Sequence, residues 1–259
     1  MAESFPTVRV ERVDGVALVT LDRPAARNAI DVATAAALGA VVEQTEADPA
    51  IMAVILTGSG DVFCSGADLK TVARGELNLL YTPAGGFAGF VGAKRAKPWI
   101  AAVNGLALAG GCEIALACDM IVASEDAAFG LPEVTRGLIA AAGGLVRLPR
   151  ALPRRIAIEM IVTGARLPAS RAAELGMVNR LAPAGRAVAA ARALAEDIAR
   201  NAPLAVRASL VIARSADELD EAELNRMSLA AQDELAITED FAEGARAFIE
   251  KRKPEWKGR

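Results

Sequence analysis

The chain has 259 residues, enough for one large domain with or without an appended module, and its 53% hydrophobic but only 4% aromatic content leaves Ala, Val and Leu to fill the core. A net charge of −3 supplies no general positive field, which argues against nucleic acid as the main partner. There is no histidine, so Ser-His-Asp and Cys-His catalysis and His-ligated metals are excluded, and proton transfer falls to Glu, Asp, Lys, Tyr or Cys.

In chain order, the N-terminal MAESFPTVRVERVDG is acidic and lacks an apolar core, unlike a signal peptide. Val8 to Val13 alternates apolar and charged, Asp14-Gly15 turns, and Val16 to Leu21 is apolar, which predicts a β-hairpin. Asp22-Arg23-Pro24 breaks it, and Asp31 is placed to cap a helix from about Val32 to Gln44. Ala53 to Thr57 predicts a strand ended by Gly58-Ser59-Gly60. Phe63 to Leu69 then forms a glycine-containing turn with Asp68 as a helix cap. Thr71 to Gly92 is glycine-rich and reads either as a mobile loop over a pocket or as a plain surface insertion.

Trp99 to Val103 predicts a strand, Asn104-Gly105 a turn, Gly110-Gly111 the start of a helix to about Cys118, and Met120 to Ala123 another strand. The apolar run from Trp99 to Cys118 is long enough to span a bilayer, but its Asn104, Glu113 and glycines favour a buried strand and helix. Alternating strands and helices imply right-handed crossovers about a largely parallel core. Ala151 to Thr163 predicts one helix, Pro168-Ala169-Ser170 opens another that stops at Gly176, Val178 to Leu181 a strand, and Ala184 to Asn201 a helix. Beyond Pro203 the pattern is helical throughout, over Leu204 to Ala213, Leu219 to Ala236 and Asp240 to Lys251. This divides the chain at residues 201–203 into a core, 1–201, and a helical region, 202–259.

Between Ala101 and Val122 the only charged side chains are Glu113 and Asp119. A carboxylate among small apolar residues loses hydration, which raises its pKa toward neutrality. Glu133, after Pro132, is a second carboxylate that folding could bring opposite the first. Two glutamates held in different protonation states can add or remove water with no metal. Each has a plainer reading: Glu113 as an exposed or arginine-paired acid, Glu133 as ordinary helix initiation. Gly66-Ala67-Asp68 and Ala109-Gly110-Gly111 each join a strand to a helix, where exposed amides favour negative charge, although such turns also serve tight packing. Asp119 is expected to close a helix or bind backbone. Cys64, Cys112 and Cys118 do not space as a metal or redox motif and are expected to be packed reduced thiols, which suits the cytoplasm. The six Lys and Arg between Arg246 and Arg259 read as a solvated end or as contacts for a phosphorylated group.

Five segments together carry a resemblance that spans nearly the whole chain. They are Phe63-Cys64-Ser65-Gly66-Ala67-Asp68-Leu69, Ala101-Ala102-Val103-Asn104-Gly105, Ala109-Gly110-Gly111-Cys112-Glu113, Phe129-Gly130-Leu131-Pro132-Glu133 and Thr163-Gly164-Ala165-Arg166. In this order and spacing the chain resembles the enoyl-CoA hydratase (crotonase) family. The resemblance implies an α/β fold, a crotonase (ClpP-like) spiral of ββα units with a C-terminal helical trimerisation region. It further implies a homotrimer, or a hexamer built as a dimer of trimers, and a coenzyme A thioester substrate with no separate cofactor. By the same resemblance the amides of Ala67 and Gly110 form an oxyanion hole, and Glu113 and Glu133 are the two catalytic acids of a hydratase. Arg27, Cys64, Gly66, Ala67, Asp68, Leu69, Lys70 and Gly110 would bind substrate or coenzyme A, and Phe248 and Lys251 would reach a neighbouring subunit's coenzyme A.

The chain departs from the family at Ala109, where many hydratases have a third glycine, and at Ala140-Ala141-Ala142-Gly143-Gly144, which replaces a Pro-containing segment. With Gly85-Gly86-Phe87-Ala88-Gly89, that variant is similar to carnitinyl-CoA dehydratase-like members. The leading expectation is a hydratase of 2-enoyl-CoA. Its rivals are a carnitinyl-CoA or other acyl-CoA dehydratase, a double-bond isomerase, and a non-catalytic acyl-CoA-binding scaffold.

Overall fold

The structure, a computed structural model, describes residues 2–259. Strands β1 (Ala2–Phe5), β2 (Val8–Val13) and β3 (Val16–Leu21) form an antiparallel meander. Asp14 and Gly15 both take positive φ, 48° and 78°, at the two-residue turn, a conformation that suits the right-handed twist of the strands. All six residues of β3 are buried because the sheet is covered on both faces, and so it reads as an unbroken apolar run. Helix α1 (Val32–Ala47) follows, its first turn capped where Asp31 Oδ1 accepts the Thr34 N–H at 2.8 Å.

From there a two-strand unit repeats. Strands β4 (Ala53–Gly58) and β5 (Val62–Cys64) lead to the short helix α2 (Leu69–Ala73), and after a two-stranded ribbon, β6 (Tyr81–Thr82) and β7 (Gly86–Phe87), come β8 (Trp99–Val103), β9 (Leu106–Leu108) and helix α3 (Gly110–Ala117). The third repeat is β10 (Met120–Ser124), β11 (Ala128–Gly130) and a single helical turn, Pro132–Arg136. The first strand of each unit enters a seven-stranded sheet ordered β1-β2-β3-β4-β8-β10-β13, the second a four-stranded sheet ordered β12-β11-β9-β5. The remaining elements of the core are α4 (Gly144–Ala151), α5 (Arg154–Thr163), β12 (Arg166–Pro168), α6 (Ala169–Glu174), β13 (Arg180–Ala182) and α7 (Ala187–Ala199).

This is the spiral of ββα units that the sequence led us to expect, and its geometry positions the site. Strands β5, β9 and β11 lie parallel and adjacent, with Leu108 opposite Gly130 and Ala107 opposite Cys64. Their C-terminal ends therefore line up, and the loops that leave them carry Gly66-Ala67-Asp68, Ala109-Gly110 and Leu131-Pro132-Glu133 to one edge. Ligands of open parallel sheets bind outside such strand ends. One apolar core lies between the two sheets and α1, and a smaller one lies on the far face of the large sheet under α7, where Ala191 and Ala195 are buried.

Three expectations need correction. The stretch from Thr71 to Gly92 borders a cavity through Leu77, Tyr81 and Phe87, as expected, but it is packed and neither a bare loop nor a surface insertion, because Leu80, Phe87, Ala88 and Phe90 are buried and Phe90 packs edge-on against Trp99 at 5.0 Å. Its glycines serve close packing: a Cβ on Gly89 would collide with the Ala35 carbonyl of α1 and with Gly39. The single helix expected over Ala151 to Thr163 is two, since Pro153 forces Leu152 into extended backbone (φ −130°, ψ 158°), and α4 already begins at Gly144. Strands β5, β9, β11 and β12, three residues each, had no residue range in the sequence reading, although strands were expected to lead into the turns at Gly66 and Ala109.

After Pro203 the chain is helical: α8 (Pro203–Arg214), α9 (Glu221–Ala236) and α10 (Glu239–Glu250). Arg214 ties this region to the core through two 2.7 Å bonds to the Asp119 carboxylate, which also accepts the Trp99 N–H at 2.8 Å. Much of the basic end is paired within the region, Arg246 and Arg252 with Glu243, Lys257 and Arg259 with Glu239. Among the described residues, no helix is long and apolar enough to cross a membrane.

Candidate active site

A cavity of about 610 Å³ opens at the aligned strand ends, and Ala67, Gly110, Glu113 and Glu133 all line it. Ile30 runs alongside the first turn and takes its neighbours' groups: the Ile30 N–H donates to Gly66 O and the Asp68 N–H donates to Ile30 O, both at 2.8 Å. Successive peptide groups of an extended strand point to opposite sides, so the Ala67 N–H faces away from Ile30. Gly110 is the first residue of α3, where an N–H has no partner within the helix. The two turns touch: a Cβ on Gly66 would lie 3.0 Å from Gly110 N and 2.8 Å from the Ala109 Cβ. Gly66 therefore needs glycine, a Cβ on Gly110 would run into the Phe87 ring at 2.5 Å, and Ala67 and Gly110 line one cavity.

Glu113 sits in the first turn of α3 with only 3% of its surface exposed. Its Oε1 accepts the Gly144 N–H at 2.9 Å. Burial pushes its pKa from the usual 4.5 to about 7; the nearby Glu133 adds to the rise, while backbone amides and Arg147 oppose it. Glu133 lies in the turn Pro132–Arg136, and burial raises its pKa as well. Its Oε2 is buried with no hydrogen-bond partner among the described residues. A buried carboxyl oxygen without a donor is costly. Both shifts are upward and both carboxyls accept a backbone amide, Glu113 from Gly144 and Glu133 from its own N–H, so the two acids differ in the second oxygen of Glu133, which has no partner among the described residues.

The other residues singled out from the sequence divide into two groups. Arg27, Asp68, Leu69 and Lys70 line the cavity with Ala67 and Gly110. Asp68 caps α2 by accepting the Lys70 N–H at 3.0 Å, and its ion pair with Arg23 at 2.9 Å helps hold it ionised despite partial burial. Cys64 and Gly66 lie behind the cavity wall. The Cys64 thiol is buried, its pKa driven up to about 12 by that burial, and it accepts the Gly66 N–H at 3.4 Å, a packing role. Phe248 and Lys251 lie away from this cavity on α10 and at its C-terminal end, Phe248 with 85% of its surface exposed.

Three residues escaped the sequence reading. Arg23 binds Asp68, Asp31 at 3.0 Å and the Ala29 carbonyl, holding the segment before α1 against the first turn. Tyr81, the only tyrosine, lines the cavity within electrostatic reach of Glu113. Arg147 lies behind Glu113. No spacing announces these partnerships, since Arg23 meets Asp68 across 45 residues; the one available signal was the rarity of tyrosine.

Two glycine turns and two buried carboxyls, both with pKa values raised by burial, meet at one cavity on a spiral of ββα units. The chain belongs to the enoyl-CoA hydratase/isomerase family, which matches residues 11–259. It is 44% identical to carnitinyl-CoA dehydratase of Proteus mirabilis, over 93% of this chain and 94% of that one. It is 41% identical to a mevalonyl-coenzyme A hydratase of Aspergillus fumigatus, over 98% and 93%. The crystal structure of enoyl-CoA hydratase from Mycobacterium tuberculosis superposes with a TM-score of 0.94 at 45% identity, covering 98% of this chain and all of that one.

Proposed function

We propose that the protein is an enoyl-CoA hydratase, adding water reversibly and syn to a 2-enoyl-CoA thioester to give the 3-hydroxyacyl-CoA. The observation that carries this reading is the pairing of Glu113 and Glu133 in one cavity with the amides of Ala67 and Gly110. The thioester oxygen accepts both amides, which stabilise the enolate-like charge as it develops; each such donor typically contributes about 3–4 kcal/mol. Glu113 takes a proton from the water that attacks C3. Glu133 delivers a proton to C2, and dehydration exchanges the two roles. Arg27 and Lys70 at the cavity wall supply positive charge for the coenzyme A phosphates, and coenzyme A enters as part of the substrate, with no added cofactor.

The family description and the names of the M. tuberculosis and A. fumigatus proteins support hydration. The Proteus mirabilis relative favours a second reading, dehydration of carnitinyl-CoA at the same two acids. Crotonyl-CoA hydration measured beside carnitinyl-CoA dehydration separates them by the larger kcat/KM. Glu133→Gln is expected to lower turnover by roughly 10²–10⁴ with thioester binding kept. A loss under threefold would remove Glu133 from the chemistry, and no turnover of any acyl-CoA by the wild type would leave a binding scaffold.

We further infer a trimer or a dimer of trimers. Ile237, Phe248 and Ile249 expose 89%, 85% and 79% of their surfaces around α10, more apolar area than an isolated surface helix needs to show. Three free thiols, with Cys64 and Cys112 buried, suit a reducing compartment such as the cytoplasm.

A further inference from the structure

The backbone that meets Glu113 is held by a side chain with no contact to the cavity. We propose that Arg147 is a positioning residue for Glu113: its guanidinium pins Ala142-Gly143-Gly144 so that the Gly144 N–H is presented to the carboxylate. This rests on the reading of Glu113 as the base.

Arg147 lies in the first turn of α4. Its Nη1 donates to the Ala142 carbonyl at 3.2 Å and its Nη2 to the Val91 carbonyl at 2.8 Å, bridging the segment before α4 to the segment after β7. Between those anchors the guanidinium lies against Gly143, where φ is 102° and a Cβ would run into Nη1 and come within 3.0 Å of Cζ. The next residue, Gly144, gives its N–H to Glu113 Oε1 at 2.9 Å. On its other side Gly144 is packed so closely that a Cβ would sit 2.9 Å from both the Ala140 Cβ and Leu131 Cδ1. The donor peptide is thus fixed from both faces, and Arg147 supplies one of them.

The same side chain is a half-buried cation near a buried acid. Glu113 faces Glu133 from the turn after β11 and Tyr81 from β6, whose phenol is raised first by burial and then by Glu113; Arg147 is the cation that opposes its rise. Arg147 in turn faces Glu113 and Cys118 from α3 and its end, Arg150 on its own helix, and Arg95 from the segment before β8. Removing Arg147 takes away both the backbone anchor and the compensating charge.

The test combines Arg147→Met and Arg147→Lys, each first checked for native Tm. The Glu113 titration is read by infrared difference spectroscopy, with Glu113→Gln assigning its carboxyl band, beside the pH profile of kcat/KM for crotonyl-CoA. Arg147→Met is expected to move the Glu113 titration upward by about half a unit or more, carry the acid limb of the profile with it, and lower kcat by roughly ten- to a hundredfold. Arg147→Lys, which keeps the charge but loses the fork, is expected to restore the acid limb while kcat stays reduced. A folded Arg147→Met enzyme that is slower at every pH with the Glu113 band unmoved overturns the proposal. If Arg147→Met does not fold, an Arg147→Lys enzyme with wild-type kcat does so. A band that moves while the profile stays still leaves the positioning role intact and instead removes Glu113 as the base.

Discussion

Glu113 and Glu133 reach one cavity from different elements, and burial acts on them before any chemistry does. A folded-state pKa of about 7 against an ordinary 4.5 gives the pH dependence a definite sign. Hydration needs Glu113 ionised, so kcat/KM should fall as pH drops through about 7; a profile flat from pH 5 to pH 8 would separate Glu113 from proton removal. The stability effect runs the other way. The fold prefers the protonated acid, a preference fully present below pH 4.5 and lost as pH rises through about 7. Glu113→Gln keeps the acceptor for the Gly144 N–H and has no charge to bury. It should therefore stabilise the protein more at pH 8 than at pH 5, by a difference in unfolding free energy bounded at about 3 kcal/mol and read by urea unfolding at the two pH values. An equal change at both pH values would mean that Glu113 is not buried as an ion.

At the scale of elements, the site depends on where three-residue strands end. The hairpin at Asp14-Gly15 and the cap at Asp31 were legible because turn and cap chemistry act locally. Strands β5, β9 and β11 were not, because three residues carry no periodicity; the chemistry at their ends was recognisable through glycine turns and family motifs instead. Glu113 stood out as a charge among apolar residues, whereas Arg23 and Arg147 act on partners that only the fold brings near. Ala109 shows a local rule being broken. It takes φ 51° and ψ −128° at the start of α3, backbone that favours glycine. Such strain costs about 1–3 kcal/mol, and glycine's extra freedom in the unfolded chain offsets about 0.5–1 kcal/mol of the relief. Ala109→Gly should thus stabilise the protein by about 1 kcal/mol in urea unfolding; destabilisation would show that the Ala109 methyl packing against Gly66 outweighs the strain.

For the whole molecule, cover within one chain thins out along the C-terminal helices. Helix α7 still buries Ala191 and Ala195 against the large sheet, whereas no residue of α9 is buried. A helical region so poorly covered within one chain is expected to be covered by other copies. Light scattering should give three or six times the chain mass of 26.8 kDa, and Phe248→Glu should shift it toward one. A wild-type monomer at micromolar concentration would contradict that assembly.

The central claim is that both carboxylates serve one water beside one carbonyl. Its most direct measurement is crotonyl-CoA turnover at pH 8 for Glu113→Gln, Glu133→Gln and the two combined. Acids that work as a unit are strongly non-additive. Each single change should cost roughly 10²–10⁴, and the pair little more than the worse of the two. Losses that multiply, or a double variant that still turns over near the wild-type rate, would mean that the two acids do not share a reaction.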